Sequence, residues 1–354
     1  MPRGLIVIRP YNSEYLYKQN VKRDSHFKKR KDDTMPSLDM PLEKLKEYKG
    51  STPIPADFDE FWDNSLKELD SVDTNLELIP AEFTCPFADC YDMYFNSTAG
   101  RIHAKLLLPK DITKPVPALL KFHGYHGDAG EWSEHLNYVA AGIAVASMDC
   151  RGQSGKSIDE GICIGDTLSG FITKGLLGDP KDMYYTNTFL DTALFARIIM
   201  NLDYIDETRV AATGISQGGG LTIACAALEP RLVAAVPCVP FLSDYKRVWQ
   251  MDLDKDAYHD LRTFFRYFDP FHEKAEEYFT KLGYTDVSHL APRIKAEVLQ
   301  FSTLRDNICP PSTQFAAYNN MTCKKQIKIA PDFAHEVIRG QSDMAYEFIL
   351  SKLL

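Results

Sequence analysis

The sequence predicts an α/β protein built on a doubly wound, mostly parallel β-sheet. From residue 118 onward, short apolar runs alternate with longer segments of helical periodicity, as expected for buried parallel strands joined by helices. A glycine-rich turn at residues 214–218 directly follows one of these runs and precedes a helix-like segment. With 354 residues, 45% of them hydrophobic, the chain is long enough to bury one large core.

The predicted elements follow one another along the chain. Apolar residues at helical spacing after Pro55, among them Phe58 and Trp62, predict a first helix. The predicted strands, of which the first two are expected to be antiparallel, are Tyr91–Asn96, His103–Leu108, Ala118–Phe122, Ile143–Met148, Val210–Thr213, Val233–Val239, Val298–Ser302 and Gln326–Ile329. The further predicted helices are Trp132–Ala141, Phe189–Met200, Gly218–Leu228, Ser312–Tyr318 and Gln341–Leu353.

Two segments depart from this alternation. Residues 1–34 are rich in lysine and arginine and show no helical or strand period, which predicts a disordered N-terminal extension or, alternatively, a basic interaction arm. We assign residues 35–354 to a single domain.

Residues 244–290 are aromatic-rich and predict a mainly helical insertion. Its aromatic side chains predict an apolar patch buried between subunits, the alternative being packing against their own subunit: Trp249, Phe264, Phe265, Tyr267 and Phe268.

Composition argues against several classes of protein. A net charge of −9 gives no basic excess to attract nucleic acid or anionic lipid. No apolar run approaches the roughly 20 residues that span a bilayer, and the apolar stretch 4–8 is too short for a signal peptide. We therefore expect a cytoplasmic protein without a membrane partner. The eight scattered cysteines do not suggest a disulfide framework, and Cys85 and Cys90 lack a second ligand pair, so we expect no metal or other cofactor.

The most informative motif is the tight turn Gly214-Ile215-Ser216-Gln217-Gly218. It lies between the strand Val210–Thr213 and the helix Gly218–Leu228. This strand–turn–helix setting is typical of the nucleophile elbow of α/β-hydrolases, which lifts a serine hydroxyl above the sheet at a helix N-terminus. The motif therefore predicts the α/β-hydrolase fold, with Ser216 as a nucleophile.

A serine hydroxyl is a weak nucleophile at neutral pH, so it needs a histidine base and an acid that orients the base. In this fold the three residues follow in the order Ser, Asp, His. His335 lies between the last predicted strand and the last helix, where the fold supplies its base. Asp306 lies in the loop after Val298–Ser302 and is the predicted acid.

Acyl transfer also needs hydrogen-bond donors for the developing oxyanion. In this fold one donor is the backbone N–H of the residue after the nucleophile, which is Gln217 here. The loop His123–Gly127 follows the strand Ala118–Phe122, and we predict that the Tyr125 N–H is the second donor. His123 is expected to pack and hydrogen-bond within its loop.

Three separated motifs resemble those of one known family, the acetyl xylan esterases and cephalosporin C deacetylases of carbohydrate esterase family seven. They are Arg151-Gly152-Gln153, the serine elbow with Gln217, and His335-Glu336. Residues 122–125, 309–313 and 315–319 are similar to further family segments. The resemblance implies the same five site residues and removal of acetyl groups from xylo-oligosaccharides and cephalosporin C. It also implies a homohexamer whose active sites open into a shared chamber.

The chain departs from the family pattern at two positions near these motifs. Thr186 stands where an arginine is expected, and Ala334 stands where a glycine commonly precedes the histidine. Arg151 is interpreted as a support for the site or the fold. Two alternatives stay open: a hydrolase acting on another ester, a lactone or a peptide, and a non-catalytic binding protein, which would lose a member of the triad.

Overall fold

The computed structural model describes residues 38–165 and 167–354, which fold around one mixed β-sheet. The expected extension over residues 1–34 lies outside the described residues. The strands of this part of the chain are β1 (Glu77–Pro80), β2 (Ala88–Ser97), β3 (Gly100–Pro109), β4 (Val116–Phe122), β5 (Ala144–Met148), β6 (Ile158–Asp159), β7 (Ile205–Ile215), β8 (Ala234–Cys238), β9 (Glu297–Thr303) and β10 (Lys325–Ala330). Their order across the sheet is β1-β2-β3-β5-β4-β7-β8-β9-β10, and β6 pairs with β3.

The two halves of the sheet differ in direction. The pairs β1–β2, β2–β3, β3–β5 and β3–β6 are antiparallel. From β5 through β10 every neighbouring pair is parallel. The predicted mostly parallel α/β sheet is therefore confirmed, including the antiparallel pairing of the first two predicted strands.

Helices cover both faces of the sheet. They are α1 (Leu42–Leu45), α2 (Phe58–Leu69), α3 (Leu136–Ala140), α4 (Tyr184–Met200), α5 (Gln217–Leu228), α6 (Tyr245–Gln250), α7 (His259–Phe268), α8 (Ala275–Leu282), α9 (Val287–Leu290), α10 (Pro311–Asn320) and α11 (Gln341–Leu353). Helices α4 and α5 contribute to one apolar cluster, and α3 and α11 to another. Because successive side chains of a strand point to opposite faces, Leu120 of β4 joins the first cluster and Leu119 the second. None of the helices in the described part of the chain has the length and apolar character needed to cross a membrane.

Some boundaries differ from the sequence prediction for physical reasons. Helix α4 begins at Tyr184, five residues before the predicted start. The sequence pattern missed this first turn because polar Thr186 and Asn187 interrupt the apolar periodicity, although the turn is largely buried. Strand β1 was not predicted, since it is a short edge strand with mostly exposed residues. The predicted helix Trp132–Ala141 is divided into a 3₁₀ turn, Trp132–His135, and α3.

The insertion at 244–290 is mainly helical, as predicted, and contains α6 to α9. The expected burial between subunits is wrong for Phe264 and Phe265, and for these two residues the alternative, packing against their own subunit, is confirmed. These side chains are 1% and 2% exposed and pack against Tyr278 of their own chain. They face the core because α7 is strongly amphipathic and turns its apolar side inward. Among the predicted patch residues, Tyr267 is the one that is largely exposed.

Asp260 on α7 gives a prediction about stability and pH. Its carboxylate is buried, with Oδ2 accepting hydrogen bonds from the backbone N–H and hydroxyl of Thr173, while Oδ1 has no partner among the described residues. Burial raises the pKa of Asp260 to about 6. The native state therefore binds this proton more tightly than the unfolded state does, and the contribution of Asp260 to stability becomes more favourable as the pH falls from about 6 towards 4.

We expect Asp260→Asn to raise the free energy of unfolding at pH 8 by about 1–3 kcal/mol, because it removes the cost of a buried charge. Below pH 5 the gain should largely disappear, because the wild-type carboxyl is then protonated in the native state. Urea unfolding at both pH values measures the difference, with the exposed Asp256→Asn as a matched control. A destabilised Asp260→Asn at pH 8 would contradict this interpretation.

Candidate active site

The carboxyl ends of the parallel strands bring the predicted site residues to one edge of the sheet. Gly214 on β7 pairs with Phe122 at the end of β4, and Ile215 pairs with Cys238 at the end of β8. The loops that leave these strands therefore start side by side. Ligands of open α/β sheets commonly bind at this edge.

Ser216 occupies a sharp turn between β7 and α5. Its φ and ψ angles are +58° and −119°, a backbone conformation that a non-glycine residue rarely adopts. Three hydrogen bonds hold the turn: the Ser216 N–H donates to Cys238 O at 2.9 Å, and the Ser216 carbonyl accepts from Gly220 at 3.1 Å and Phe241 at 3.0 Å. Strain of this kind persists where the surrounding structure fixes it, which is common at functional sites.

The two flanking glycines are required by space. A Cβ atom on Gly218 would lie 2.0 Å from the carbonyl oxygen of Phe122, and one on Gly214 would lie 2.4 Å from the carbonyl oxygen of Gly218. Both contacts are with backbone atoms, so they cannot be relieved by moving a side chain. The Gly-x-Ser-x-Gly pattern thus has a direct steric cause here.

His335 and Asp306 reach Ser216 from two loops at the same edge. His335 follows β10, and its Nε2 lies 2.9 Å from Ser216 Oγ, while its Nδ1 lies 2.7 Å from Asp306 Oδ2. Because a carboxylate only accepts, Nδ1 donates to Asp306, and Nε2 accepts from the serine hydroxyl. A backbone hydrogen bond from Arg305 N–H to Phe333 O, 3.1 Å long, joins the two loops.

Asp306 is held on both oxygens. It is fully buried, its Oδ1 accepts from the backbone N–H groups of Ile308 and Cys309, and its Oδ2 accepts from Gln314 Nε2 as well as from His335. These donors stabilise a charged carboxylate in a fixed orientation. The histidine tautomer that can accept the serine proton is fixed as a result.

Tyr125 and Gln217, the two predicted oxyanion donors, lie on the loop after β4 and at the start of α5. Within the described residues, neither backbone N–H has a protein acceptor. Gln217 is the first residue of a twelve-residue helix, whose N-terminus favours negative charge. Tyr125 is fixed by its hydroxyl, which accepts from Phe171 N–H at 3.1 Å, and by an edge contact with Phe241.

Two paired side-chain amides, those of Gln153 and Gln217, join the segments that carry the two predicted oxyanion donors, and the sequence analysis did not assign this pair a role. Gln153 Nε2 donates to Gln217 Oε1 at 2.8 Å, and Gln217 Nε2 donates back to Gln153 Oε1 at 3.2 Å. Gln153 Oε1 also accepts from the N–H of His126, the residue after Tyr125, at 2.8 Å. The motif Arg151-Gly152-Gln153 was the available signal, but the partner of Gln153 is known only from the fold.

Arg151 supports the fold beside the site, in agreement with its interpretation from the sequence. Its guanidinium is buried, and its Nε and Nη2 donate to the two carboxylate oxygens of Asp191 at 2.8 and 2.6 Å. It also donates to the carbonyls of Thr98 and Ala99. This arrangement anchors the loop that contains Gln153, because Asp191 lies on α4.

His123 and the two departures from the family pattern have local roles. His123 Nε2 accepts from Cys150 N–H at 2.9 Å and Nδ1 donates to Gly124 O at 2.7 Å, and burial lowers the pKa of this histidine. Thr186 is buried and donates to Pro180 O at 2.7 Å. Ala334 donates its N–H to Glu336 at 3.1 Å. None of these contacts involves the hydroxyl of the elbow serine.

A mostly parallel sheet carrying a serine at a strained elbow, with histidine and aspartate in a hydrogen-bonded chain, defines a protein of the α/β-hydrolase class. The family model of acetyl xylan esterases (AXE1) matches residues 35–352. The chain therefore belongs to the acetyl xylan esterase family, and its class is that of a carboxylic ester hydrolase.

Individual relatives agree with this assignment. Acetyl xylan esterase 1 from Thermoanaerobacterium sp. JW/SL YS485 is 52% identical, with a TM-score of 0.88 over 90% of this chain and 100% of that one. The acetyl xylan esterase from Paenibacillus sp. R4 is 33% identical, with a TM-score of 0.85 over 89% of this chain and 100% of that one. The acetyl esterase Axe7A of Xylanibacter ruminicola is 27% identical over 83% of this chain, which spans 65% of that relative's length.

Proposed function

We propose that the chain removes acetyl groups from small acetylated saccharides by a Ser-His-Asp acyl-enzyme mechanism. The observation that carries the proposal is the unbroken hydrogen-bond chain from Ser216 Oγ through His335 to Asp306. This geometry lets a histidine take the serine proton while a buried carboxylate stabilises the imidazolium that forms. The names of the similar proteins, acetyl esterase and acetyl xylan esterases, support the choice of acyl group.

The mechanism begins with attack of Ser216 Oγ on the acetyl carbonyl carbon, as His335 Nε2 takes the serine proton. The carbonyl oxygen becomes an oxyanion that accepts from the N–H groups of Tyr125 and Gln217. The imidazolium then gives its proton to the departing sugar oxygen, which leaves an acetyl-enzyme. A water that passes its proton to His335 attacks this ester, and acetate leaves as Ser216 recovers its proton.

A pocket beside the oxyanion loop supports a small alcohol group. It has a volume of about 290 Å³ and is lined in part by Tyr125, His126, His259 and Asp260. Polar side chains at its wall suit the hydroxyl groups of a sugar. Our candidate substrates are acetylated xylo-oligosaccharides and cephalosporin C.

Initial rates of acetate release test the proposal. We expect turnover of acetylated xylo-oligosaccharides and cephalosporin C, and slow release from polymeric acetyl xylan. Absence of acetate release from each of these substrates, with a folded protein and a positive control esterase, would contradict the proposed substrate class. Faster hydrolysis of longer acyl esters would instead point to another esterase activity.

Two further proposals concern the oligomeric state and the cellular location of the enzyme. A homohexamer with enclosed active sites is supported by the largely exposed Tyr267 and Phe271 on the insertion, which are 68% and 84% exposed. Light scattering should then give six times the mass of the chain, and a monomer would contradict the enclosed chamber. A cytoplasmic location is supported by the buried free thiols of Cys85, Cys90, Cys150, Cys225, Cys238 and Cys309, and fractionation of the source cells tests it.

A further inference from the structure

One side chain beside Asp306 and His335, at the carboxyl ends of the parallel strands, has no part in the mechanism above. Cys309, three residues after Asp306, is fully buried and carries a free thiol. Its Sγ, a ring nitrogen of His335 and a carboxylate oxygen of Asp306 all lie within 4.8 Å of one another. Burial raises the pKa of the Cys309 thiol, and the neighbouring Ser216 side chain opposes that rise. A third kind of metal-ligating group is therefore present beside the histidine and the carboxylate.

The histidine is oriented in the way that metal sites require. A metal-ligating histidine commonly donates its second ring N–H to a carboxylate, which fixes the ring and makes the ligating nitrogen more basic. His335 Nδ1 already donates to Asp306 at 2.7 Å, so Nε2 is the nitrogen that carries a lone pair. Nε2 lies 2.9 Å from Ser216 Oγ, and the Ser216 side chain is also a neighbour of the Cys309 thiol.

The chemistry of these groups selects a class of cation. Thiolate and imidazole bind Zn²⁺ and similar thiophilic ions at about 2.3 and 2.0–2.1 Å, whereas Mg²⁺ and Ca²⁺ prefer oxygen ligands. Two such bonds at a tetrahedral angle separate sulfur and nitrogen by less than the 4.8 Å within which Cys309 Sγ and a ring nitrogen of His335 lie. Binding of one ion by both residues therefore requires their side chains to move closer together. Because Cys309 is buried, a cation from solvent would reach the site at His335, whose side chain is 21% exposed.

We propose that Cys309 and His335 form an inhibitory binding site for a thiophilic divalent cation such as Zn²⁺, with Asp306 as the carboxylate that orients the histidine. Binding forms a bond from the ion to Cys309 Sγ and another to His335 Nε2, and the thiol proton leaves to solvent. The ion occupies the lone pair that would accept the serine proton. Inhibition of turnover rests on the proposed function, whereas binding of the ion does not.

Zinc inhibition of acetate release provides the first test. We expect Zn²⁺ to inhibit the wild-type enzyme reversibly, with activity restored by a chelator, while Mg²⁺ at the same concentration has no effect. Cys309→Ala should need at least about tenfold more Zn²⁺ for half-inhibition, since even loss of an outer partner costs 10- to 100-fold in metal affinity. Each variant is compared with its own rate without Zn²⁺.

Cys238→Ala is the matched control. Cys238 is also buried, at the end of β8, but its thiol lies 3.9 Å from Val236 O. It does not belong to the group formed by Asp306, Cys309 and His335. This variant should keep the wild-type sensitivity to Zn²⁺. Equal sensitivity of Cys309→Ala and the wild type, or no inhibition of the wild type, would overturn the proposal.

A binding measurement that needs no turnover separates this inference from the proposed function. Cd²⁺ added to the Ser216→Ala protein should produce a thiolate-to-metal charge-transfer band in the ultraviolet. The band should be lost in the double variant Ser216→Ala/Cys309→Ala and retained when Cys238 is replaced in place of Cys309. A band that persists without Cys309 would assign the cation to other thiols and refute the site, even if the esterase activity is as proposed.

Discussion

Ser216→Ala is expected to abolish practical turnover. Because the nucleophile and its base act as a unit, loss of the hydroxyl should lower kcat by about a million-fold. The small side chain fits the elbow, and the backbone hydrogen bonds of residue 216 remain, so the variant should fold. Acetate release from an acetylated xylo-oligosaccharide, measured with protein free of contaminating esterase, checks the result.

The matched control for this variant is Ser351→Ala, which removes an exposed hydroxyl from α11. It should retain the wild-type rate within about twofold, because surface changes away from special features have small effects. A Ser216→Ala protein that kept a tenth of the wild-type rate would show that another group is the nucleophile.

Asp306→Asn is expected to lower kcat by roughly ten-thousand-fold, the size of effect seen when a triad acid is replaced by its amide. An asparagine can keep its oxygen towards the N–H groups of Ile308 and Cys309. Its amide nitrogen then faces His335 Nδ1 and donates to it. The imidazole proton must move to Nε2, which can no longer accept the serine proton.

The stability of Asp306→Asn provides an internal check. The new amide nitrogen also faces Gln314 Nε2, so one hydrogen bond is lost at a cost of about 1 kcal/mol. The exposed Asp343→Asn on α11 serves as the control for the rate, which it should leave unchanged. A nearly wild-type kcat for Asp306→Asn would show that the carboxylate charge does not orient or stabilise His335.

Local sequence was sufficient for features that depend on neighbours in the chain. The elbow could be predicted because Gly214 and Gly218 are required by backbone contacts within and beside the turn. The buried parallel strands could be predicted because they are continuous apolar runs. The positions of Asp306 and His335 followed from the order in which this fold presents its loops.

Features that depend on distant contacts could not be predicted from the same patterns. The amide pair of Gln153 and Gln217 joins residues 64 positions apart, and polar residues give no periodic signal. Burial of Phe264 and Phe265 between subunits was a wrong prediction, because the sequence of an aromatic-rich segment does not show whether its side chains pack against another subunit or against their own core. The proximity of Cys309 to the triad likewise depends on the turn after β9.

Acid quenching followed by mass spectrometry can show whether Ser216 carries the acetyl group during turnover. The enzyme is mixed with an activated acetyl ester, quenched within the first turnover, digested and sequenced. We predict one added acetyl group on the peptide that contains Ser216, absent in Ser216→Ala and greatly reduced in His335→Ala. An acetyl group on another side chain, or rapid turnover with no acetylated peptide at any quench time, would show that Ser216 does not carry the acetyl group.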